Sequence, residues 1–287
     1  MMRSFFIKSA LLLPAAFMFA GCGTGQGGAD SAAGSVTEST SSAADVSVNV
    51  PAETADDAVP EPLVQKVYEY DPSKPVIALT FDDGPNTLNT PKILEKLEQY
   101  DIPASFFLVG NNINSDSAEY IRRAYEMGCD IENHSMTHSQ QMGGMSEEQL
   151  KAEIDGTEEL IKGVLGDAWS GSEFFRPPYN IVTSSMYDAI DMAFVMGYGC
   201  EDWEASVTTE QRVEKTLAQA GDGVIILLHD QPANQATVDA LDGIIPALKE
   251  QGYQFVTVTQ LFEAKGLDPK DELYARYRVI SVVEPHE

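Results

Sequence analysis

The sequence predicts an α/β fold, a distorted (β/α) barrel of about seven parallel strands with its active site at the C-terminal strand ends. Two observations lead there. Apolar runs of strand length alternate with amphipathic helical segments from Val76 to Phe262; such repetition implies a parallel sheet, and at this length a closed barrel suits it better than an open one. Chemically loaded residues also fall at the ends of the apolar runs, where such barrels gather their chemistry. The run Pro75-Val76-Ile77-Ala78-Leu79 ends in Thr80-Phe81-Asp82-Asp83-Gly84-Pro85. Two carboxylates thus reach the rim of a core, where charge is rare without a metal, a partner or a substrate.

After that strand, Pro91 to Gln99 reads as a helix with Ile93, Leu94 and Leu97 on one face, capped by Asn89 or Thr90. Ala104 to Val109 is the second strand, and Ser117 to Met127 is a helix stopped by Gly128. Asp130-Ile131-Glu132-Asn133 leads into His134-Ser135-Met136-Thr137-His138. Ser146 to Leu165 is a long acidic helix, with Ser146 as cap and Gln149 at the capping-box position. Phe174-Phe175 runs into Arg176-Pro177-Pro178-Tyr179, and a helix near Ser184 to Met192 precedes a strand at Phe194 to Tyr198. Thr209 to Ala220, Val224 to Leu228, Gln235 to Gln251 and Phe255 to Val258 complete the alternation.

The ends differ in kind. Residues 1–22 read as a targeting segment, with Arg3 and Lys8 before a short apolar stretch from Ala10 to Phe19. Phe19-Ala20-Gly21-Cys22 resembles the lipobox of bacterial lipoproteins, with Cys22 as the lipidated N-terminus after cleavage. The expected location is therefore outside the cytoplasm, tethered by lipid to the outer face of the cell membrane. Residues 23–62 are rich in Gly, Ser, Ala and acids, and cannot bury enough apolar surface to offset their ordering entropy, so they read as a flexible tether. Residues 63–266 form the folded domain, and 267–287 a C-terminal extension that is either packed or free to dock.

The net charge is −27, with 38 of the 45 acids and 16 of the 18 bases lying from Lys66 onward. No basic patch with interleaved aromatics is present, which argues against nucleic acid as a partner. No GxxxxGK[ST] loop supports a nucleotide role. Strong acidity suits a neutral or amine-bearing glycan and disfavours a polyanion, although it also serves solubility alone. Cys129 and Cys200 read as buried free thiols, with a disulfide chemically permitted outside the cell.

The chain has four histidines, and three occupy motif positions: His134, His138 and His229, the last after Val224-Ile225-Ile226-Leu227-Leu228. HxxxH sets two imidazoles four residues apart, on one face if helical, where they can pinch a cation. With one carboxylate they make a His2Asp set with an open position, the pattern of a catalytic site. A second carboxylate beside it can serve as general base, and an amine leaving group needs a proton donor, for which His229 is the remaining motif histidine.

These motifs, with Asp202-Trp203, occur in the order shown by polysaccharide deacetylases, the NodB-homology proteins of carbohydrate esterase family 4, which the chain resembles from about Val76 to Phe262. The resemblance implies Asp83, His134 and His138 as metal ligands, Asp82 as base and His229 as acid. It further implies Arg176 as the tether of Asp82 and the backbone N–H of Tyr179 as an oxyanion donor. Trp203 and Leu227 are either a substrate wall or ordinary core. Two positions depart from the family pattern. Gly199 replaces the first Asp of Asp-x-x-Asp-Trp, so His229 is expected to lose its tuning carboxylate unless Asp202, Glu201 or Asp230 substitutes, and Gly199→Asp to raise its pKa. Asn180 replaces the Gly usual after Arg-Pro-Pro-Tyr, a change that left-handed backbone tolerates.

The expected activity is metal-dependent hydrolysis of N-acetyl groups on peptidoglycan or a chitin-like chain by a monomer. Zinc is the expected metal, with cobalt or manganese also suited. An O-acetyl esterase acting on xylan or a wall polymer is the alternative enzyme, and a cell-wall-binding lipoprotein without turnover is the alternative from another class.

Overall fold

The computed structural model describes residues 62–271; the targeting segment with Cys22, residues 23–61 of the tether and residues 272–287 of the extension lie outside the described residues. Eight strands and seven α-helices follow in chain order among the described residues. The strands are β1 (Val76–Asp82), β2 (Ser105–Leu108), β3 (Asp130–Asn133), β4 (Phe174–Phe175), β5 (Ala193–Phe194), β6 (Tyr198–Gly199), β7 (Val224–His229) and β8 (Gln254–Val256). The helices are α1 (Thr90–Tyr100), α2 (Ala118–Glu126), α3 (Glu147–Leu165), α4 (Ser184–Ala189), α5 (Thr209–Ala218), α6 (Gln235–Glu250) and α7 (Val258–Ala264). No described helix is long and apolar enough to cross a membrane.

Every strand pairing is parallel, in the order β5-β4-β3-β2-β1-β7-β6, with β8 also on β1. β7 runs along β1 from Ile77 to Asp82. The other edge of β1 is shared: β8 covers Val76–Ala78 and β2 covers Thr80–Asp82. The path is therefore a distorted barrel.

The expected strand from Phe194 to Tyr198 is two strands. β5 lies at one end of the path and β6 at the other, so Val195-Met196-Gly197 carries the chain between them. Four residue steps reach at most ~14 Å, which requires the sheet to curl until its ends nearly meet. Gly197 permits the crossing, because a Cβ there would lie 2.7 Å from Leu227 Cβ.

Alternation along the strands separates two faces. Ile77, Leu79 and Phe81 of β1 pack outward with Ile93, Leu94 and Leu97 of α1 and Leu241, Ile244 and Ile245 of α6. Val76 and Ala78 point the other way, into an interior filled by Phe107, Phe174, Ala193, Val195, Ile225 and Val256. Helix α7, which the sequence pattern did not reveal, joins this second cluster with Val258, Leu261 and Phe262. Leu267, the first residue of the C-terminal extension, packs beside it.

Ser146 caps α3 through a complete capping box with Gln149, as the sequence predicts. Asn89 stands at the N-cap of α1, but its side chain donates to the carbonyls of Gln231 and Pro232 and so ties the loop after β1 to the loop after β7. Cys129 and Cys200 are unbridged and buried, and burial pushes their thiols up to about 12 and about 11. Ser146→Ala should lower the unfolding free energy by ~1 kcal/mol. Urea denaturation checks this, and turnover should be unchanged because the cap touches nothing in the site.

Candidate active site

The inward-facing phase of the barrel continues into the chemistry. On β1, Val76 and Ala78 are followed by Thr80 and Asp82; on β7, Ile225 is followed by Leu227 and His229. Asp130 and Glu132 of β3 lead in the same phase to His134, and Phe174 leads to Arg176. Asp82 is the register neighbour of both Phe107 and His229. Strand periodicity thus sends a base candidate, a ligand candidate, an arginine and an acid candidate to one mouth.

Asp83 lies out of phase and joins them through its backbone. It adopts φ 76°, and the turn is held by Asn112 Nδ2 donating to the Asp83 carbonyl (2.7 Å) and Val109 N–H donating to the Gly84 carbonyl (2.8 Å). Gly84 has no room for a side chain: a Cβ would sit 2.4 Å from Asp230 Oδ2. Asp230 is fully buried behind it and bonded to Thr90. Its carboxyl is pushed up to about 7 by burial foremost, with Asp83 and Asp82 adding to the rise and the Thr90 bond opposing it.

The HxxxH segment is a loop, not a helix. β3 ends at Asn133, and Ser135 and His138 take φ 69° and 52°. The imidazoles meet through these left-handed residues, with ring centroids 5.0 Å apart. Helix α3 clamps the loop: the Glu153 carboxylate accepts from Thr137 N–H (2.8 Å) and Thr137 Oγ1 (2.7 Å). Asn133 donates to the Ile154 carbonyl and to Glu158, and accepts from Ser135 N–H. No sequence motif marked Glu153 or Asn133; only the pairing of α3 with the loop reveals them.

Asp83, His134 and His138 each offer an atom within 4.8 Å of the other two. Asp83 Oδ1 is buried without a hydrogen bond and lies 3.1 Å from His138 Nε2 and 3.6 Å from His134 Nε2. Zinc–ligand bonds of ~2.0–2.1 Å in tetrahedral geometry put donors about 3.3–3.4 Å apart, so a divalent cation fits. His134 Nδ1 meets the Arg176 carbonyl at 2.6 Å. A carbonyl only accepts, so Nδ1 carries the proton and Nε2 keeps its lone pair for a metal. Burial, and then His134, lower the pKa of His138, favouring the neutral, ligating imidazole. Burial works against the charge on Asp83, but His134 foremost, with His229 and His138, outweighs it and holds the carboxyl at about 2.

Arg176 is fully buried directly behind Asp82. Its Nη1 donates to Asp82 Oδ1 (2.6 Å) and Thr80 Oγ1 (2.8 Å), and its guanidinium lies 4.0 Å from the Phe107 ring centroid. Tyr179 and Asn180 adopt φ 56° and 55°, so Asn at 180 does fit a left-handed position. The hydrogen bonds of this turn come from Asn180 and Ile181 to the Pro177 and Pro178 carbonyls. The Tyr179 ring packs 4.6 Å from that of His138.

Of the three carboxylates that could stand in for the one missing at Gly199, Asp202 is the one that reaches His229. Asp202 Oδ1 lies 2.7 Å from His229 Nδ1, and Asp202 Oδ2 accepts from His229 N–H at 2.8 Å. Of the other two candidates, Glu201 pairs with Lys215, and Asp230 bonds Thr90. Burial would lower the pKa of His229, but the Asp202 bond foremost, aided by the charges of Asp202, Asp82 and Asp83, raises it to about 9. Position 199 was never needed for this role. The space beside it is taken by Trp203, whose Cζ3 would lie 3.1 Å from a Cβ on residue 199.

Asp82, Asp83, His134, His138, Tyr179, Trp203, Leu227 and His229 line one cleft of about 510 Å³, and Arg176 and Asp202 are not among its lining residues. Trp203, half exposed, stands edge-on to His229 at 5.5 Å, and Leu227 lines the same wall. Both belong to the cleft rather than to the core alone. Asn180 and Gln231 also line it, and neither was singled out as a site residue from sequence.

Fold and site together define a protein of the (β/α)-barrel class with a His2Asp set able to hold a divalent cation. The polysaccharide deacetylase family model matches residues 69–195. The chain is 47% identical over 197 residues to the bifunctional xylanase/deacetylase of Pseudobutyrivibrio xylanivorans, covering 69% of this chain and 32% of that one. It is 35% identical over 197 residues to a peptidoglycan-N-acetylglucosamine deacetylase of Bacillus cereus, covering 67% and 70%. Among solved structures, a family 4 acetyl xylan esterase from Clostridium thermocellum in complex with a cobalt ion superposes with a TM-score of 0.68 at 41% identity, covering 72% of this chain and 98% of that one. The chain belongs to the polysaccharide deacetylase family. It spans about a third of the length of the xylanase/deacetylase.

Glu153→Ala should weaken metal binding ~10–100-fold by releasing the His134–His138 loop. Titration of the apoprotein with zinc checks this. Asp202→Asn should lower turnover by ~10² or more by removing the acceptor that orients the acid. With a protonated His229 as the expected donor, activity should fall as pH climbs through its pKa, which the Asp202 bond raises to about 9. Asp202→Asn should therefore move the alkaline limb of the pH–rate profile downward, whereas Gly199→Asp should not move it upward.

Proposed function

We propose that this chain hydrolyses N-acetyl groups of a cell-wall or chitin-like glycan built of N-acetylglucosamine or N-acetylmuramic acid units, releasing acetate in a divalent-metal-dependent reaction. The observation that carries this is the pairing of Asp82 with His229 across neighbouring strands, the first held by Arg176 and the second by Asp202. Asp83, His134 and His138 hold the metal; zinc suits this donor set, and cobalt or manganese also fit. Bound there, a divalent cation polarises the acetyl carbonyl and acidifies water.

Asp82 accepts the proton of the attacking water, and Arg176 keeps its carboxylate aimed at the cleft. The Tyr179 N–H donates to the oxyanion that develops on the carbonyl. His229 gives its proton to the leaving nitrogen. An amine departs poorly as an anion, so a histidine raised to about 9 suits an N-acetyl substrate. Trp203 and Leu227 wall the cleft against the sugar and its acetyl methyl. We further propose that Cys22 anchors a monomer to the outer face of the membrane, with the acidic tether giving it reach into the wall.

A second reading, O-acetyl ester hydrolysis on xylan, is supported by the likeness to the xylanase/deacetylase and to the acetyl xylan esterase. A binding protein without turnover was suggested by Gly199, and with Asp202 on His229 that suggestion loses its basis.

Incubation with N-acetylchitooligosaccharide, peptidoglycan and acetylated xylan, with acetate and free amine both measured, decides the substrate. The expected result is acetate and amine in equal amounts, abolished by a chelator. Asp82→Asn should retain metal yet lose ~10²–10⁴ in rate. Acetate from xylan without amine from any glycan would establish the second reading instead.

A further inference from the structure

We propose that Arg212 is a positioning residue for the acid side of the site: through Thr237 and Asn234 it fixes the hydrogen-bond direction that makes Asp202 an acceptor and keeps a proton on His229 Nδ1. The inference rests on the hydrolase function proposed above and concerns a residue outside every motif. Arg212, on α5, is 3% exposed and forms no ion pair among the described residues. Its guanidinium donates to the carbonyls of Val207 (3.0 Å) and Glu204 (3.4 Å), to Asn234 Oδ1 and to Thr237 Oγ1 (2.7 Å).

Donor and acceptor inventories settle the rest. A guanidinium has five donors and no acceptor. At Thr237 the hydroxyl oxygen must therefore accept, and its single proton is left for Asp202 Oδ2, 2.8 Å away. At Asn234 the arginine holds Oδ1, which turns Nδ2 towards Asp202 Oδ2 (3.1 Å) and the His229 carbonyl (2.9 Å). The reversed amide would set two donors against each other on one side and two acceptors on the other. His229 N–H supplies a third donor to Asp202 Oδ2. Every neighbour of the carboxylate donates, so the remaining oxygen, Oδ1, accepts from His229 Nδ1. Nε2 is then the nitrogen that exchanges a proton with substrate. Buried networks of this kind hold only when every member is satisfied.

Two readouts test this. The first is the low-field Nδ1–H resonance of His229 in the proton NMR spectrum of the metal-loaded protein without substrate. The second is kcat and KM on N-acetylchitooligosaccharide. Arg212→Met should weaken or lose the resonance and lower kcat roughly 10–100-fold, with KM and metal content unchanged. Thr237→Val, which removes one donor and no charge, should act in the same direction to a smaller extent, and carries the test if Arg212→Met fails to fold. In an Asp202→Asn background both substitutions should cost little more, because the group they orient is gone. Loss of the resonance upholds the network even if acetylated glycans prove not to be substrates. An unchanged resonance in the folded variants, or kcat losses fully additive with Asp202→Asn, overturns it.

Discussion

The buried Arg176–Asp82 pair is the interaction on which the rest of the site depends. Its side chain holds Asp82, while its own carbonyl sets the tautomer of His134. One residue of β4's continuation thus fixes both a base candidate and a metal-ligand candidate. Desolvating two charges is costly, so such a pair adds little net stability, yet breaking it by removing one partner costs about 3–5 kcal/mol. Thr80 and the Phe107 ring take up part of the remaining guanidinium surface. The pair is best understood as a device that fixes direction.

Strand phase explains what was legible in the sequence. Asp82, Arg176 and His229 each follow an apolar run at the inward-facing parity, and His134 follows the polar strand β3 in the same phase, so motif and alternation together place them at one mouth. The Ser146 cap and the β-then-α order were equally plain, because both are local signals. Contacts set by tertiary geometry were not. The crossing at Val195-Met196-Gly197 reads as a continuous strand until Gly197 is seen against Leu227. The two histidines of HxxxH converge through left-handed backbone at Ser135 and His138, which residue spacing does not encode.

The acid side shows the same limit. Gly199 looked like a missing carboxylate because sequence gives position along the chain and not direction. In the fold Asp202 reaches His229 with both oxygens, and the small residue at 199 gives Trp203 room to lie beside β6. Asp82 and His229, the candidate base and acid, are therefore held by the same strategy, a buried charged partner hydrogen-bonded to each. Arg176 does this on one side of the cleft, and Asp202 with its ring of donors on the other.

The central claim is that these constraints bring two imidazoles and one carboxylate around a single ion. X-ray absorption at the zinc edge of the metal-loaded protein tests it most directly. The expected spectrum shows two imidazoles and light oxygen ligands at ~2.0–2.2 Å, with no sulfur. His138→Ala should leave one imidazole. A spectrum with a thiolate ligand, or with two imidazoles retained in His138→Ala, would contradict the site described.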